Sequence, residues 1–223
     1  MFSSFTPEVI NMIGKGVLET LYMTLVSTIC GYIIGLPWGV ALSVTDKSGL
    51  RPNRAVYQVL SFIANVMRSI PFLILLILVM PFTLFLIGRT YGSTATIVPL
   101  TLSASPLIAR MVETSLQDVD RGVIEAAESM GADTLTIILR VMLVEARVSL
   151  ISGIVIMLGT VLGYSAMAGV VGGGGLGDIA IRYGYYRYQA DIMIVTVILL
   201  VLLQQIFQTI GMKVSNSLDR RRN

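Results

Sequence analysis

No histidine occurs anywhere in the 223 residues, and cysteine occurs once. The first absence excludes a histidine-based catalytic triad and any His-ligated metal site. The second excludes a disulfide framework. Cys30 itself sits in an apolar run, so nothing places the chain in an oxidising compartment. Charge is scarce as well: Asp, Glu, Lys and Arg make up 13% of the residues, about half the share of an average soluble domain, against 55% hydrophobic residues. The length suits one domain, and the composition excludes a soluble one. No long basic run suggests nucleic acid as a partner, and Arg220-Arg221-Arg222 reads as an anchor at a membrane surface. Met1 to Gly14 lacks the basic start and compact apolar core of a cleavable signal, so the first long apolar run is expected to stay as an anchor.

What the chain does have is apolar runs separated by short polar stretches. Thr6-Pro7 has the cap-then-proline order of a helix start, and Phe5, Val9, Met12 and Ile13 make one apolar face, which predicts a short interfacial helix. Thr20 to Thr45 carries no charge and is long enough to cross a hydrocarbon core of about 30 Å. Its Gly31, Gly35, Pro37 and Gly39 bend it or permit close packing. The next region has two readings. One long tilted helix buries Arg68, or an interfacial helix leads into a span kinked at Pro71; an intramembrane arginine is costly, which favours the second. Further spans begin near Thr90 and Val148, the latter running into Gly169–Gly177, a stretch too glycine-rich to hold a helix. That stretch has no following Lys-Ser/Thr and no preceding strand, so it is not a phosphate-binding loop but a flexible linkage or a site of close packing. Tyr183, Tyr185, Tyr186 and Tyr188 suit a membrane–water interface. The last span holds Gln204, Gln205 and Gln208, expected to hydrogen-bond between helices. The fold expected is all-α and polytopic, a single membrane domain over 1–223 with about five transmembrane helices near 16–44, 56–87, 93–112, 148–171 and 191–213.

Between two of these runs lies a stretch polar enough for water, 120–144. It reads as two short helices joined at a glycine. Asp120 caps the first; Gly131 ends it with φ > 0; Asp133 caps the second, whose Leu135, Ile138, Leu139 and Met142 recur at helical spacing. The small pair Ala126-Ala127 beside Glu125 leaves a shallow surface for a partner. The plain alternative is a solvated loop in which Glu125 merely pairs with Arg121 one turn earlier.

Glu125-Ala126-Ala127, three residues, Gly131, nine residues and Val141-Met142-Leu143 resemble the EAA loop of bacterial ABC-transporter permeases, with Val144 standing where that loop ends in proline. Arg68-Ser69-Ile70-Pro71-Phe72, Val98-Pro99-Leu100-Thr101, Ile108 to Glu113 and Gly163-Tyr164-Ser165-Ala166-Met167 are most similar to the methionine-import branch of these permeases. The resemblance implies a type I ABC-importer fold in a bacterial inner membrane. It implies a homodimer around a twofold axis, a cytoplasmic ATPase docked on each coupling helix through Glu125, Ala126, Ala127, Gly131 and Leu135, and a substrate-binding protein outside. ATP and magnesium belong to that partner; this chain binds no cofactor. ATP-driven closure of the ATPases would draw the coupling helices together and rock the spans between inward-open and outward-open forms. Methionine, in its L- and also its D-form, is the implied substrate.

Charge places the loop independently of this resemblance. With five alternating spans, Lys47, Arg51, Arg54, Arg110, Arg121, Arg140, Arg147, Lys213 and Arg220–Arg222 fall on one side, and only Lys15, Arg89, Arg182 and Arg187 on the other. The positive-inside rule then puts the N-terminus outside and 120–144 and the C-terminus in the cytoplasm. Ser165 has no histidine or lysine base near it, which argues against an intramembrane protease. The spans hold almost no Asp or Glu, which argues against a secondary carrier, and no filter sequence suggests a channel. A permease for another small or polar amino acid, and an ATPase-independent channel or secondary carrier, are the alternatives. Tyr164, Ser165 and Met167 are the candidate gate, since they precede the glycines. Ser165 offers a hydrogen bond to a passing group or to its own helix, and Met167 either closes the passage against its copy or is ordinary packing.

Overall fold

A computed structural model describes residues 6–218. Ser3, Phe5 and the terminal Arg220–Arg222 and Asn223 lie outside the described residues. Helix α1 runs unbroken over Pro7–Thr45. The Thr6 hydroxyl accepts the Val9 N–H at 3.4 Å, and Pro7 fills the first turn where its missing N–H is harmless. The separate interfacial helix expected at the start is therefore the first turns of α1. Gly14 and Gly16 each weaken a helix by only about 1 kcal/mol, and no proline stands there to end it.

Helix α2 (Arg54–Ser69) is strongly amphipathic and meets α3 (Phe72–Leu78) at 103°. Pro71 supplies the break: it disfavours helical backbone at Ile70, which is extended at ψ 122°. Of the two readings of this region, the structure has the bent one. Met80–Ile87 forms α4, ended by Gly88 at φ +79°. Helix α5 (Ser93–Gln117) holds Pro99 and Pro106 in its interior and is the most buried of the four long helices. Helix α6 (Arg121–Ser129) follows, then α7 (Thr134–Thr136), a π turn over Ile137–Met142 and α8 (Leu143–Glu145). Helix α9 (Arg147–Ala168) leads through the glycines to α10 (Gly175–Ile179), and α11 (Ala190–Leu218) closes the described chain.

Pro7–Thr45, Ser93–Gln117, Arg147–Val171 and Ala190–Ser215 are each long and apolar enough to cross a membrane, and the bent pair α2–α3 brings the number to five. The architecture is all-α and polytopic, as expected. Its centre is the seam between α1 and α5. Gly31, Gly35 and Gly39 line one face of α1 at a spacing of four. A Cβ at Gly35 would stand 2.7 Å from the Ser105 carbonyl oxygen and 2.8 Å from Ile108, so the two backbones meet where no larger residue fits. Around this seam Met23, Leu100, Ala104, Ile108 and Val112 form the core.

Candidate functional site

The α6 region is built by its two ends. Asp120 Oδ1 accepts the Gly122 N–H at 2.7 Å and starts the helix. At the other end Gly131 N–H donates to the Glu128 carbonyl at 2.9 Å and Ala132 N–H to the Ala127 carbonyl at 3.1 Å, with Gly131 at φ +81°. These paired bonds around a left-handed glycine form a Schellman motif and satisfy carbonyls the helix would otherwise leave bare. Asp133 stands at the cap position of α7 with extended backbone.

The small pair separates. Ala127 is buried against Ile137 and Met142, while Glu125 and Ala126 are exposed, because successive residues turn about 100° around a helix. Only Ala126 presents the shallow surface expected of both. The stripe on the second helix separates too: Met142 is buried and Ile138 half-buried, yet Leu135 is 61% exposed and Leu139 also faces outward. The π turn holds an extra residue per turn and so rotates the helix faces against one another. Met130, 81% exposed and next to Gly131, is exposed as Leu135 and Ala126 are, while Glu125 is exposed at the edge of the cavity behind α6. No periodic signal marks Met130 in the sequence, because it precedes the helix stop at Gly131 and belongs to no stripe. With Val144 where the resembling loop has proline, helical backbone continues through Glu145 and is interrupted only at Ala146 before α9 begins.

Glu125 does not pair with Arg121. Arg121 Nη2 instead donates to the Ser48 carbonyl at 2.8 Å, and Arg51 Nε donates to the Thr134 hydroxyl at 3.1 Å. The loop after α1 thus braces both α6 and α7. Asp46 orders that loop: its carboxylate accepts from the Ser48 hydroxyl at 2.6 Å, which holds the Asp46 carboxyl below its ordinary range. Behind α6 lies a cavity of about 540 Å³ reached by Asp46, Tyr57, Glu125 and Glu128.

At the candidate gate, Tyr164 stacks flat on Phe72 with ring centroids 4.7 Å apart, tying α9 to the segment after the Pro71 bend. Ser165 is buried and donates to the Leu162 carbonyl at 2.8 Å, so it bonds its own helix. Met167 is 48% exposed. The glycine stretch beyond it is a packed corner. Glu19 Oε2 accepts the Gly175 N–H at 2.7 Å, the Thr20 hydroxyl accepts the Leu176 N–H at 2.9 Å, and Gly92 N–H donates to the Gly172 carbonyl at 2.9 Å. Of the two readings of that stretch, close packing is the one present.

Glu8 and Asp191 lie in the first turns of membrane-length helices, and two acids lie deeper, Glu19 in α1 and Glu113 near the end of α5. Glu113 is buried and accepts from Arg110 Nη1 at 2.7 Å, and Arg110 Nη2 reaches the Ser61 carbonyl at 3.1 Å and Asn65 Oδ1 at 3.0 Å on α2. Their spacing of three in the sequence is the signal that could have found the pair. Gln204 departs from expectation: it lies against Gly159 with its Oε1 buried and unpartnered. A hydrogen bond does join α9 and α11 elsewhere, between Ser152 Oγ and Ser215 Oγ at 2.7 Å.

Residues 31–219 match the family of binding-protein-dependent transport system inner membrane components. The probable D-methionine transport system permease protein MetI of Vibrio cholerae is 46% identical over 203 residues, covering 91% of this chain and 90% of its own. The methionine import system permease protein MetP of Bacillus subtilis is 42% identical over 222 residues, covering 99% and 100%. Among solved structures, a chain of the inward-facing MetNI methionine ABC transporter aligns with a TM-score of 0.95 and 44% identity over 97% of this chain and 100% of that one.

Proposed function

The chain belongs to the family of binding-protein-dependent transport system inner membrane components, and from that premise we propose that it is the membrane-spanning subunit through which an ATP-driven importer passes methionine. It is a multi-pass inner-membrane permease of an ABC importer, not itself an enzyme. Two copies make the pathway, and each meets a cytoplasmic ABC ATPase that binds ATP and magnesium and does the hydrolysis. A substrate-binding protein delivers the amino acid on the side opposite α6. The N-terminus lies outside, and α6 and the C-terminus lie in the cytoplasm.

The observation that carries this reading is the outer face of α6. A short, firmly capped helix exposes Ala126, with Met130 at its end and Leu135 of α7 exposed beside it and Glu125 at its edge, while Ala127 and Ile137 lock the pair of helices to the core beneath the spans. An apolar patch flanked by an acid suits docking by a protein partner, and its attachment to α5 and α9 suits transmitting motion to the pathway. The identity of the substrate is supported by the methionine permeases to which the chain is similar. Proteoliposomes holding the chain, a co-expressed ATPase and a binding protein should take up L-methionine only when ATP is supplied. D-methionine should compete. Uptake of another amino acid in preference would move the substrate and leave the transport class standing.

A further inference from the structure

The recess between α2 and α5 is not used by the coupling reading. It measures about 500 Å³ and is reached by Tyr57, Arg68, Leu107, Arg110, Glu113 and Thr114. Small-molecule sites occupy roughly 300–1,000 Å³. Its polar floor is built rather than accidental. Arg110 is clamped by Glu113 on its own helix and by Ser61 and Asn65 on α2, and its Nε is buried without a partner. Ser61, Asn65 and Arg68 follow at spacings of four and three, so Arg68 stands on the same face of α2 as the residues that hold Arg110. Arg68 is exposed and makes no hydrogen bond or ion pair among the described residues. Glu113 neutralises one of the two guanidiniums, which leaves the recess with one positive charge over.

We propose that this recess is a way-station for the transported amino acid, in which Arg68 receives the substrate carboxylate. The inference rests on the reading of the chain as an amino-acid importer. A planar guanidinium with both edges free matches a carboxylate in a two-bond fork. The Arg110–Glu113 pair acts in position only: it braces α2 against α5 so that Arg68 is held over the recess. Leu107 offers an apolar wall for a side chain. The recess lies beside the 103° bend between α2 and α3 and toward the end of α5 that runs into α6, where a substrate leaving toward the ATPase side would pass.

The test uses the complete transporter with Cys30→Ser and Thr114→Cys. Thr114 is exposed on the rim, and its hydroxyl serves only the Arg110 carbonyl. Maleimide labelling is timed with and without methionine, with no binding protein present. At about twice its dissociation constant, bound methionine should slow labelling about threefold, as 1 + [L]/Kd. Methioninol, which lacks the carboxylate, should not slow it. Arg68→Gln should abolish the protection and Arg68→Lys should keep part of it. Protection by methioninol equal to that by methionine, or protection that persists in Arg68→Gln, overturns the proposal. So does unchanged labelling at saturating methionine, and so does labelling that answers only to anionic lipid, which assigns Arg68 to headgroups. Methionine uptake by vesicles of the same transporter, once the binding protein and ATP are added, reports on the importer reading separately. Uptake without protection refutes the way-station alone, and absence of uptake refutes the premise.

Discussion

At Gly131 the backbone sits at φ +81°, a region that costs a β-branched residue about 1–2 kcal/mol or more. No atom crowds the position a Cβ would take there, so conformation alone decides the outcome of a substitution. Gly131→Val should misplace α6 and lower both transport and ATPase co-purification while membrane insertion stays normal; Gly131→Asn should retain more of both, since Asn tolerates this region. Glu125 is exposed and unpaired with Arg121, which removes the plain account in which its loss shifts only local helix stability. Glu125→Lys should therefore reduce ATPase association with little change in melting temperature. A drop in melting temperature with full association would return Glu125 to a structural role. Met167 presents nearly half its surface while its neighbour Ser165 is spent on its own helix. Met167→Cys should cross-link to its own copy in a nucleotide-dependent manner and block import. Failure to cross-link in every nucleotide state, with import preserved in Met167→Ala, removes it from the pathway.

Between elements, two contacts decide how the spans hold together. The α1–α5 seam closes at Gly35, where an added methyl would meet backbone oxygen and a β-branched side chain, neither able to yield easily. Gly35→Ala should destabilise by about 1–3 kcal/mol, the range for overpacking, read as a lower melting temperature in detergent. An unchanged melting temperature would mean that the seam opens more than the fold allows. The Phe72–Tyr164 stack links the bend after Pro71 to the candidate gate. A double-mutant cycle with Phe72→Leu and Tyr164→Leu should show a coupling of about 0.5–1.5 kcal/mol. A value near zero would leave the gate segment without this connection to α3.

For the molecule as a whole, the charge asymmetry predicts that cysteine reagents reach Tyr186→Cys from outside and Asp133→Cys only from the cytoplasm. Reaction at Asp133→Cys from outside would invert the topology. Much of this architecture was legible in the chain. Uncharged runs of membrane length are a strong signal, and Gly131 between an acid-capped helix and Asp133 announced its own conformation. What stayed hidden depends on contacts distant in sequence. Glu19 finds the glycine corner across more than 150 residues, with Gly175 N–H as its partner. The π turn that follows Leu135 and shifts the later residues of its stripe has no local residue code, and the continuity of α1 through Gly14 and Gly16 is a matter of hydrogen bonding that glycine weakens without ending. Everything above depends on one claim, that the outer face of α6 is where an ATPase takes hold. Its most direct test replaces Cys30 with Ser, introduces Ala126→Cys and adds a short bifunctional cross-linker to membranes that also contain a co-expressed ABC ATPase. The account predicts a covalent adduct between the two chains whose yield changes on adding ATP and falls in the Gly131→Val background. Full ATP-driven import with no adduct from Ala126→Cys in any nucleotide state would contradict it.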